Sequence, residues 1–387
     1  MDSITENITT PIRGEYDVIV VGGGIGGVSA AVSAKRNNSK QVLIIEKSVQ
    51  FGGLATSGLI SWFEPLCDGR GRKLMYGMAD EMMQLAIRYG PDCLPEEWRN
   101  NPDVITSNKR FSTHFSQSML VLAIDQLIKE NEIDVLLDSQ AVKPVMENGI
   151  CTGVIVENKT GRSFYGSRVV IDATGDSDIL ARAGVPCECG KNYLTYVTYQ
   201  VNMKTIQKAA ASKDTLYVRK WVNIGSDLWG NGHPEGEPLL TGVTAEEVTK
   251  FVLDGRNLLF ERVKDDNRST RDFTVLPSMA QLRTTRRIIG DYTLTEADEG
   301  KYFNDSIAVA GDFHNRGKQY EIPFRSLFNS MYGNLLTVGR SISSSGWAWD
   351  VTRVIPVAAA TGQAAGTAAA LCAEQNIAVK DVKLEDL

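Results

Sequence analysis

The sequence has little of what metal sites, disulfide scaffolds and redox pairs require. Only three histidines occur in 387 residues, and His114, His233 and His314 lack the paired ligand spacing of a metal site. The six cysteines are scattered, and the one close pair, Cys187-x-Cys189, has neither the redox nor the zinc spacing. We therefore predict no metal site, and free thiols in a reducing, cytoplasmic location.

Basic charge and long apolar runs are also lacking. The 47 Asp and Glu outnumber the 41 Lys and Arg, and the net charge of -6 gives no sign of the basic patch that nucleic acids require. No apolar run approaches the ~20 residues of a membrane span, and the polar first residues lack the apolar core of a secretory signal. We predict a soluble protein without nucleic-acid or membrane partners, long enough for two domains.

The strongest pattern lies near the N-terminus. An apolar, β-branched run from Tyr16 to Val21 is followed at once by "GGGIGG", and the Ala-rich stretch from Val28 to Lys35 suits a helix. A second apolar run, Val42 to Ile45, ends at Glu46. Strand, glycine turn, helix, strand and acid in this order predict a βαβ unit that binds a dinucleotide.

Each residue of this motif has a physical task in such a site. Gly22 would permit the tight turn, Gly24 would let the backbone approach a pyrophosphate, and Gly27 would let helix and strand pack closely. The helix N-terminus would offer N–H groups to the phosphates. Glu46 would accept hydrogen bonds from a ribose diol and disfavour a 2′-phosphate, which makes NADP the least suitable ligand.

Two later strands also end in small residues. They lie in "RVVIDATGDSDI" at Arg168 to Ile179 and in "NLLTVGRSIS" at Asn334 to Ser343, and a further glycine turn, "FGGLATSG", covers 51–58. Small residues at the carboxyl ends of parallel strands let the backbone approach an extended ligand. NAD has no need of the later pair of strands, whereas the longer FAD would use all three, so the pattern favours FAD.

Further segments follow in order along the chain: "LRTTRRIIGDYTLTEAD", "SIAVAGDFH", "YEIPFRSL" and "TGQAAGTAAAL". With the motifs above, the sequence resembles the FAD-dependent oxidoreductases whose glutathione-reductase-type flavin domain is similar to that of fumarate reductase and succinate dehydrogenase flavoproteins. The resemblance spans most of the chain, with a gap around 192–278. It implies a bound FAD whose adenine touches the backbone of Val142. The FAD is expected to be non-covalent, because no Cys, His or Tyr lies in a recognised attachment motif.

The residues expected to hold FAD come from these glycine turns, strand ends and the start of the last helix. They are Gly22, Gly24, Ile25, Gly26, Gly27, Glu46, Lys47, Gly53, Leu54, Thr56, Val142, Ala173, Thr174, Gly175, Asp178, Gly339, Arg340, Ile355 and Pro356.

The predicted fold class is α/β, with a Rossmann-like FAD-binding domain (a parallel sheet with a β-meander) and a smaller α+β substrate domain. We place the discontinuous FAD-binding domain at 1–191 and 302–387, and the substrate domain at 192–301. The loop "SDLWGNGHPEGEP" in the second domain is either a lid over the flavin or an ordinary surface loop. No second Gly-x-Gly-x-x-Gly follows a strand, so electrons from NAD(P)H, if used, would come through a transient site or an electron-transfer partner.

The segment "SGWAWDVTRVIP" at 345–356 is similar to the tryptophan signature of flavin-dependent halogenases. Its position argues against that activity, because it follows the last flavin-binding strand and because five residues separate Trp349 from Ile355. In fumarate-reductase-like enzymes the same place holds a His and an Arg that bind the substrate. Arg353 aligns with that Arg, whereas Trp349 replaces the His, which suggests a small-molecule substrate with an apolar or ring portion.

The second candidate catalytic residue is His314, in "GDFHNRGKQYEIPFRSL". A loop there would project into the cleft between the domains, and histidine exchanges protons near neutral pH. The alternative is a histidine that fixes a turn through Asp312 or Asn315. The function expected from the whole pattern is hydride transfer between a substrate carbon and flavin N5. The alternatives are a flavin monooxygenase or halogenase, and a non-catalytic flavin electron-transfer subunit.

Overall fold

The computed structural model describes residues 3–96 and 112–387. The predicted segment 1–191 therefore includes positions, 1–2 and 97–111, that lie outside the described residues. The helices are α1 (Ile25–Arg36), α2 (Met78–Ile87), α3 (Gln117–Glu130), α4 (Asp178–Ala183), α5 (Met203–Ser212), α6 (Ala245–Val263), α7 (Gly346–Thr352) and α8 (Ile355–Gln375).

The strands are mostly short, and several of them follow one another without a helix between them. They are β1 (Ile12–Val21), β2 (Val42–Ile45), β3 (Trp62–Phe63), β4 (Thr113–His114), β5 (Asp134–Leu136), β6 (Gln140–Glu147), β7 (Ile150–Asn158), β8 (Gly161–Asp172), β9 (Cys187–Cys189), β10 (Thr195–Asn202), β11 (Lys220–Gly225), β12 (Arg271–Val275), β13 (Arg286–Ile288), β14 (Ser306–Gly311), β15 (Gln319–Pro323) and β16 (Leu335–Thr337).

A central sheet contains β5, β2, β1 and β8 in that order, all parallel. The long strand β8 pairs antiparallel with β7 along its first half, and β7 pairs with β6, which makes a β-meander. The end of β8 pairs parallel with β16. The predicted α/β class with a parallel sheet and a meander is therefore confirmed.

The register brings the carboxyl ends of the parallel strands to one edge. Val21 pairs with both Ile45 and Asp172, and Asp172 also pairs with Thr337. Both faces of β2, β16 and the last four residues of β1 and β8 are buried, which explains their continuous apolar sequence. A ligand that lies along this edge can reach every segment that follows a parallel strand.

A separate antiparallel sheet, in the order β11, β10, β12, lies within residues 192–301. Helix α6 buries Phe251, Gly255 and Leu259 on one face. A Cβ atom at Gly255 would lie 2.7 Å from the ring of Tyr196 in β10, so glycine permits this packing. These elements lie where the sequence predicts the substrate domain, although the exact domain limits stay a prediction.

The last helix is more apolar than the sequence analysis allowed. Within the described part of the chain, α8 alone has the length and composition of a membrane span, and 72% of its most apolar window is buried in the fold. Because Gly and Thr are interleaved with Ala in α8, the sequence has no continuous strongly apolar run there that would have indicated a membrane span. Its burial is that of a core helix.

Helix α8 packs against helix α1 almost backbone to backbone. A Cβ at Gly362 would lie 2.3 Å from the carbonyl oxygen of Gly26, and one at Gly366 would lie 2.1 Å from that of Ala30. Both distances are shorter than any real contact, so these two positions require glycine. The contact fixes the spacing of the two helices.

Replacing Gly366 by Ala should therefore destabilise the fold by about 1–3 kcal/mol, the usual cost of overpacking. In an exposed helix the same change would stabilise by about 1 kcal/mol, so the sign of the effect is informative. Urea unfolding of the FAD-loaded protein measures the change, with the exposed Glu374→Ala in the same helix as a control expected within about 0.5 kcal/mol. A more stable Gly366→Ala variant would show that the helices are not packed this closely.

Candidate active site

A cavity of about 400 Å³ runs along the carboxyl edge of the central sheet. It collects most of the residues that the sequence analysis assigned to FAD, together with one of the two assigned to catalysis. Those on its wall are Gly22, Gly24, Ile25, Gly26, Glu46, Lys47, Gly53, Leu54, Ala173, Thr174, Gly175, Asp178, Gly339, Arg340, Ile355 and Arg353.

The glycine turn before α1 has the backbone geometry that its spacing predicts. Gly22 has a φ of 109°, and a Cβ there would lie 2.3 Å from the carbonyl oxygen of Ala173. A Cβ at Gly27 would lie 1.9 Å from the carbonyl oxygen of Gly22, whereas one at Gly24 would meet no atom within 4 Å. The backbone at Gly24 therefore borders open space, and helix α1 begins there without a side-chain cap. Its first N–H groups are available to an anion.

Glu46, which directly follows β2, is buried and held in place by the backbone. The N–H of Gly23 donates to its Oε2 at 2.6 Å, and the N–H of Ser48 donates to its Oε1 at 2.7 Å. A carboxylate oxygen can accept more than one hydrogen bond. Each oxygen thus keeps capacity for a ribose hydroxyl in the cavity.

The segment after β8 is anchored by the fully buried Asp172. Its carboxylate accepts hydrogen bonds from the N–H groups of Thr174, Ile179 and Leu180, the last two in the first turn of α4. Burial raises the pKa of Asp172 despite these bonds. Asp172 thereby fixes the turn that carries Ala173, Thr174 and Gly175 along the cavity.

Arg340 reaches the same turn from the segment after β16. It donates to the carbonyl oxygens of Gly175 at 2.5 Å and Leu282 at 2.9 Å, and to Asp176 Oδ1 at 2.6 Å. Burial alone would raise the pKa of Asp176, but Arg340 and the Thr285 hydroxyl outweigh it and hold that pKa below its usual range. Most donors of Arg340 are thus engaged by the protein, although its side chain also lies on the cavity wall.

Helix α8 begins where the segment after β16 lines the cavity. A Cβ at Gly339 would lie 3.5 Å from that of Ala358, and β16 lies three strand spacings, or about 14 Å, from β2, which Glu46 follows. Ile355 and Ala358 of the first turn lie on the wall, and Val354 provides no side-chain cap. The positive end of the helix dipole therefore faces the cavity.

Arg353 lies just before this helix and lines the cavity. Its Nε and Nη2 contact Asp350 Oδ1 at 2.9 and 2.8 Å. Arg283, in the segment after β12, donates from Nη1 to the carbonyl oxygen of Asp227 at 2.9 Å. Burial, followed by the positive charge of Arg353, lowers the pKa of Arg283 to about 10.

Four of the residues predicted to bind FAD lie off the cavity wall. Gly27 serves the contact between helix and strand, and Thr56 donates its hydroxyl to the carbonyl oxygen of Phe51 at 2.6 Å. Pro356 is buried in the first turn of α8. Val142 lies one residue beyond Ser139–Ala141, which do line the cavity. The binding of FAD by these four residues stays a prediction.

His314 also lies off the cavity wall, on an exposed turn. Asp312 fixes that turn by accepting hydrogen bonds from the N–H groups of His314 and Asn315 at 2.8 and 2.7 Å. The imidazole packs edge-on against Trp229 and Trp347, with ring centroids 5.0 and 5.9 Å apart. This placement favours the turn-fixing alternative, and the catalytic role of His314 stays a prediction.

Trp349 does not provide the apolar wall that the sequence analysis expected. It is buried, donates from Nε1 to the carbonyl oxygen of Arg340 at 2.6 Å, and packs against the guanidinium of Arg287. The ring thus fixes the loop after β16. An apolar or ring-shaped substrate has no support from Trp349.

The sequence analysis missed several residues on the wall. Ser48 adjoins the predicted Lys47, and Ser139 directly precedes β6, three residues before the predicted Val142. Their position along the chain could have included both. Ser278 and Met279 come from the segment without a recognisable motif. The N–H of Ser278 donates to the carbonyl oxygen of Ser57 at 2.9 Å, a contact between distant parts of the chain that no local pattern encodes.

The family model "FAD dependent oxidoreductase" matches residues 17–238 and 258–387. The chain belongs to this family of FAD-dependent enzymes. No curated relative matches the sequence.

Solved structures with a similar course of the chain have low sequence identity. A geranylgeranyl bacteriochlorophyll reductase-like protein of Thermoplasma acidophilum is 16% identical, with a TM-score of 0.46, over 94% of this chain and 80% of its own. p-Nitrophenol 4-monooxygenase PnpA of Pseudomonas putida DLL-E4 is 12% identical, with a TM-score of 0.48, over 97% and 83%. The Sdh1 complex of Mycobacterium smegmatis is 13% identical, with a TM-score of 0.48, over 96% and 70%.

The cavity fits the cofactor that the family uses. Open space at Gly24 beside an uncapped helix start suits a pyrophosphate, and the buried Glu46 carboxylate suits a ribose. The uncapped start of α8 suits the electron-rich end of a flavin. The donors and acceptors thus occur in the order in which FAD presents its groups.

Replacing Glu46 by Gln should raise the Kd of FAD by about 10- to 100-fold. The amide loses the charge of the carboxylate, and its nitrogen cannot accept from the N–H of Gly23 or Ser48. Quenching of FAD fluorescence on titration of the apoprotein measures this Kd. The exposed Glu147→Gln serves as the matched control, and an equal Kd in both variants would exclude Glu46 from the ribose site.

Proposed function

We propose that this FAD-dependent enzyme transfers hydride between a small organic substrate and the flavin, on an alcohol, amine or C=C group. The observation that carries the proposal is the position of Arg353, on the wall of the same cavity as Glu46 and beside the start of α8. When bound, FAD supplies the hydride acceptor or donor. The protein binds and orients the substrate and excludes water.

Arg353 is suited to hold an acceptor group of the substrate. Asp350 contacts its Nε and Nη2 at a single oxygen. This contact orients the guanidinium but leaves Nη1 for a ligand, since an Arg has five N–H donors in a planar fork. The FAD is proposed to be non-covalent, the enzyme cytoplasmic, and its electrons exchanged with a separate partner protein or a transiently bound nucleotide.

The proposed hydride transfer can be tested in both directions without knowing the natural substrate. The FAD-loaded protein is mixed anaerobically with panels of alcohols, hydroxy acids and amines, and photoreduced protein is mixed with unsaturated acids. Hydride transfer bleaches the visible flavin absorbance in the first set or restores it in the second. Formation of a hydroxylated or halogenated product only in the presence of oxygen would contradict the proposal.

Arg353→Lys should leave the Kd of FAD unchanged but slow flavin reduction by the active compound at least tenfold. Lysine keeps one positive charge but lacks the planar fork that fixes a bound acceptor group. Stopped-flow absorbance measures the rate, and Arg316→Lys on an exposed loop is the control. An unchanged reduction rate in Arg353→Lys would make Arg353 a structural residue.

A further inference from the structure

The segment 192–301 contributes two residues to the cavity wall. Every residue of this segment is described, and of these only Ser278 and Met279 line the cavity. Neither side chain is charged. Among the described residues, the charged side chains on the wall all come from outside the segment, and they are Glu46, Lys47, Asp178, Arg340 and Arg353. The predicted substrate domain therefore adds an uncharged surface to the cavity.

Backbone contacts place these two residues between separate parts of the wall. The N–H of Ser278 donates to the carbonyl oxygen of Ser57, another wall residue, at 2.9 Å. Three residues after Met279, the carbonyl oxygen of Leu282 accepts from Arg340 Nη1 at 2.9 Å. Residues 278–282 therefore run from the loop between β2 and β3 to the segment after β16, beside the start of α8.

The buried side chain of Gln281 fixes residues 278–282 against β10. Its Nε2 donates to the carbonyl oxygens of Gly58 at 2.6 Å and Val197 at 2.9 Å, and its Oε1 accepts from the N–H of Val197 at 2.8 Å. These bonds order the two wall residues before a ligand arrives. Such order lowers the entropic cost of binding.

The side chains of Ser278 and Met279 are available to a ligand. The Ser278 hydroxyl has no hydrogen-bond partner among the described residues, and the residue is exposed on the cavity wall. Met279 is half-buried, and its flexible thioether can follow the outline of an apolar group. A carboxylate placed against Met279 would lose hydration and gain no partner there.

The cations on the described part of the wall leave no obvious partner for a second anionic group of the substrate. Arg340 is paired with Asp176 and donates to two carbonyl oxygens as well. Lys47 adjoins Glu46, where the ribose of FAD is expected. Arg353 accounts for one group of the substrate. The remainder of the substrate therefore meets uncharged side chains.

We propose that Ser278 and Met279 select a substrate whose end remote from the reacting group is uncharged and apolar. The inference rests on the proposed hydride transfer for the presence of a substrate in this cavity, and it names the substrate class. Met279 contacts the apolar end, and the Ser278 hydroxyl forms a hydrogen bond with a polar group of the substrate. A compound with an anionic group at both ends is disfavoured.

Three pairs of probes test this preference on the FAD-loaded protein. The members of each pair differ only in a terminal methyl or carboxylate: crotonate and fumarate, 2-hydroxybutanoate and malate, and butylamine and 4-aminobutanoate. In each pair that binds, the methyl member should bind about tenfold or more tightly, because the carboxylate is desolvated without a partner. Anaerobic titration of the visible flavin absorbance measures each Kd. Equal or tighter binding of the carboxylate members, or no binding by any probe, would overturn the proposal.

Substitutions assign the preference to Met279. Met279→Lys should shift the ratio of the two Kd values about tenfold or more toward the carboxylate member, because it places a cation where that group is otherwise unpaired. Met279→Leu should retain the preference, because the two side chains have similar volumes. Met331→Lys, at an exposed position before the amino end of β16, is the matched control and should leave the ratio unchanged. An unchanged ratio in Met279→Lys would assign the selectivity to other residues.

The position of Met279 can be tested without any substrate. In protein labelled with methyl-13C methionine, the Met279 resonance is the one that disappears in Met279→Leu. It should shift when FAD binds to the apoprotein, because the ring current of the flavin acts on nearby methyl groups, whereas the resonance of the exposed Met331 should not move. An unmoved Met279 resonance would exclude the residue from the cofactor cavity and overturn the proposal.

The outcomes separate this inference from the proposed reaction. Selective binding of the methyl members, without flavin reduction or reoxidation by any compound of the panels, would support the uncharged surface and refute only the hydride transfer. Hydride transfer that is equally fast with both members of a pair would support the reaction and overturn the selectivity of Ser278 and Met279.

Discussion

The close approach of helices α1 and α8 is the constraint on which the site depends. Gly362 and Gly366 bring the backbone of α8 against the carbonyl oxygens of Gly26 and Ala30. As a result both helices begin at the cavity, α1 beside Gly24 and α8 at Ile355. A larger residue at the contact would separate the two helix starts and alter both ends of the cofactor site at once.

The parts of the fold and site that the sequence predicts are those encoded by short local patterns. A glycine spacing specifies positive φ and close backbone contacts, so Gly22 and Gly27 were assigned tasks that their geometry fits. Continuous apolar strands that end in small residues predict a parallel sheet, since both of its faces are buried. The predicted role of Glu46 as the ribose-binding acid follows from its position directly after the second such strand.

The parts of the site that the sequence does not predict depend on tertiary contacts between distant segments. Ser278 reaches the cavity because its N–H bonds to Ser57, and Gln281 is held by the carbonyl oxygen of Gly58 at 2.6 Å. Neither contact has a local signal. The sequence predicted Trp349 beside the substrate. Instead its indole N–H donates to the carbonyl oxygen of Arg340 in the interior, because a buried indole N–H requires an acceptor.

Arg340 and Arg353 show why residue type alone does not assign a role. Both line the cavity, but Arg340 is neutralised by Asp176 and donates to two carbonyl oxygens as well. Arg353 contacts a single oxygen of Asp350 through Nε and Nη2. The first arginine is part of the scaffold, whereas the second keeps Nη1 for the ligand that we propose. The compensation of each charge, rather than its presence, separates the two functions.

The chain is acidic overall, but parts of the cavity wall favour a negative ligand. The net charge of the sequence is -6, yet two uncapped helix starts and Arg353 border the cavity. The nearby carboxylates have partners of their own: Glu46 accepts from backbone N–H groups, Asp178 from Arg286 and Asp350 from Arg353. Low dielectric inside a cavity strengthens such a field, while the acidic exterior repels anions elsewhere on the surface. The two helix starts thereby favour an anionic group, such as the pyrophosphate of the cofactor, at this edge of the sheet.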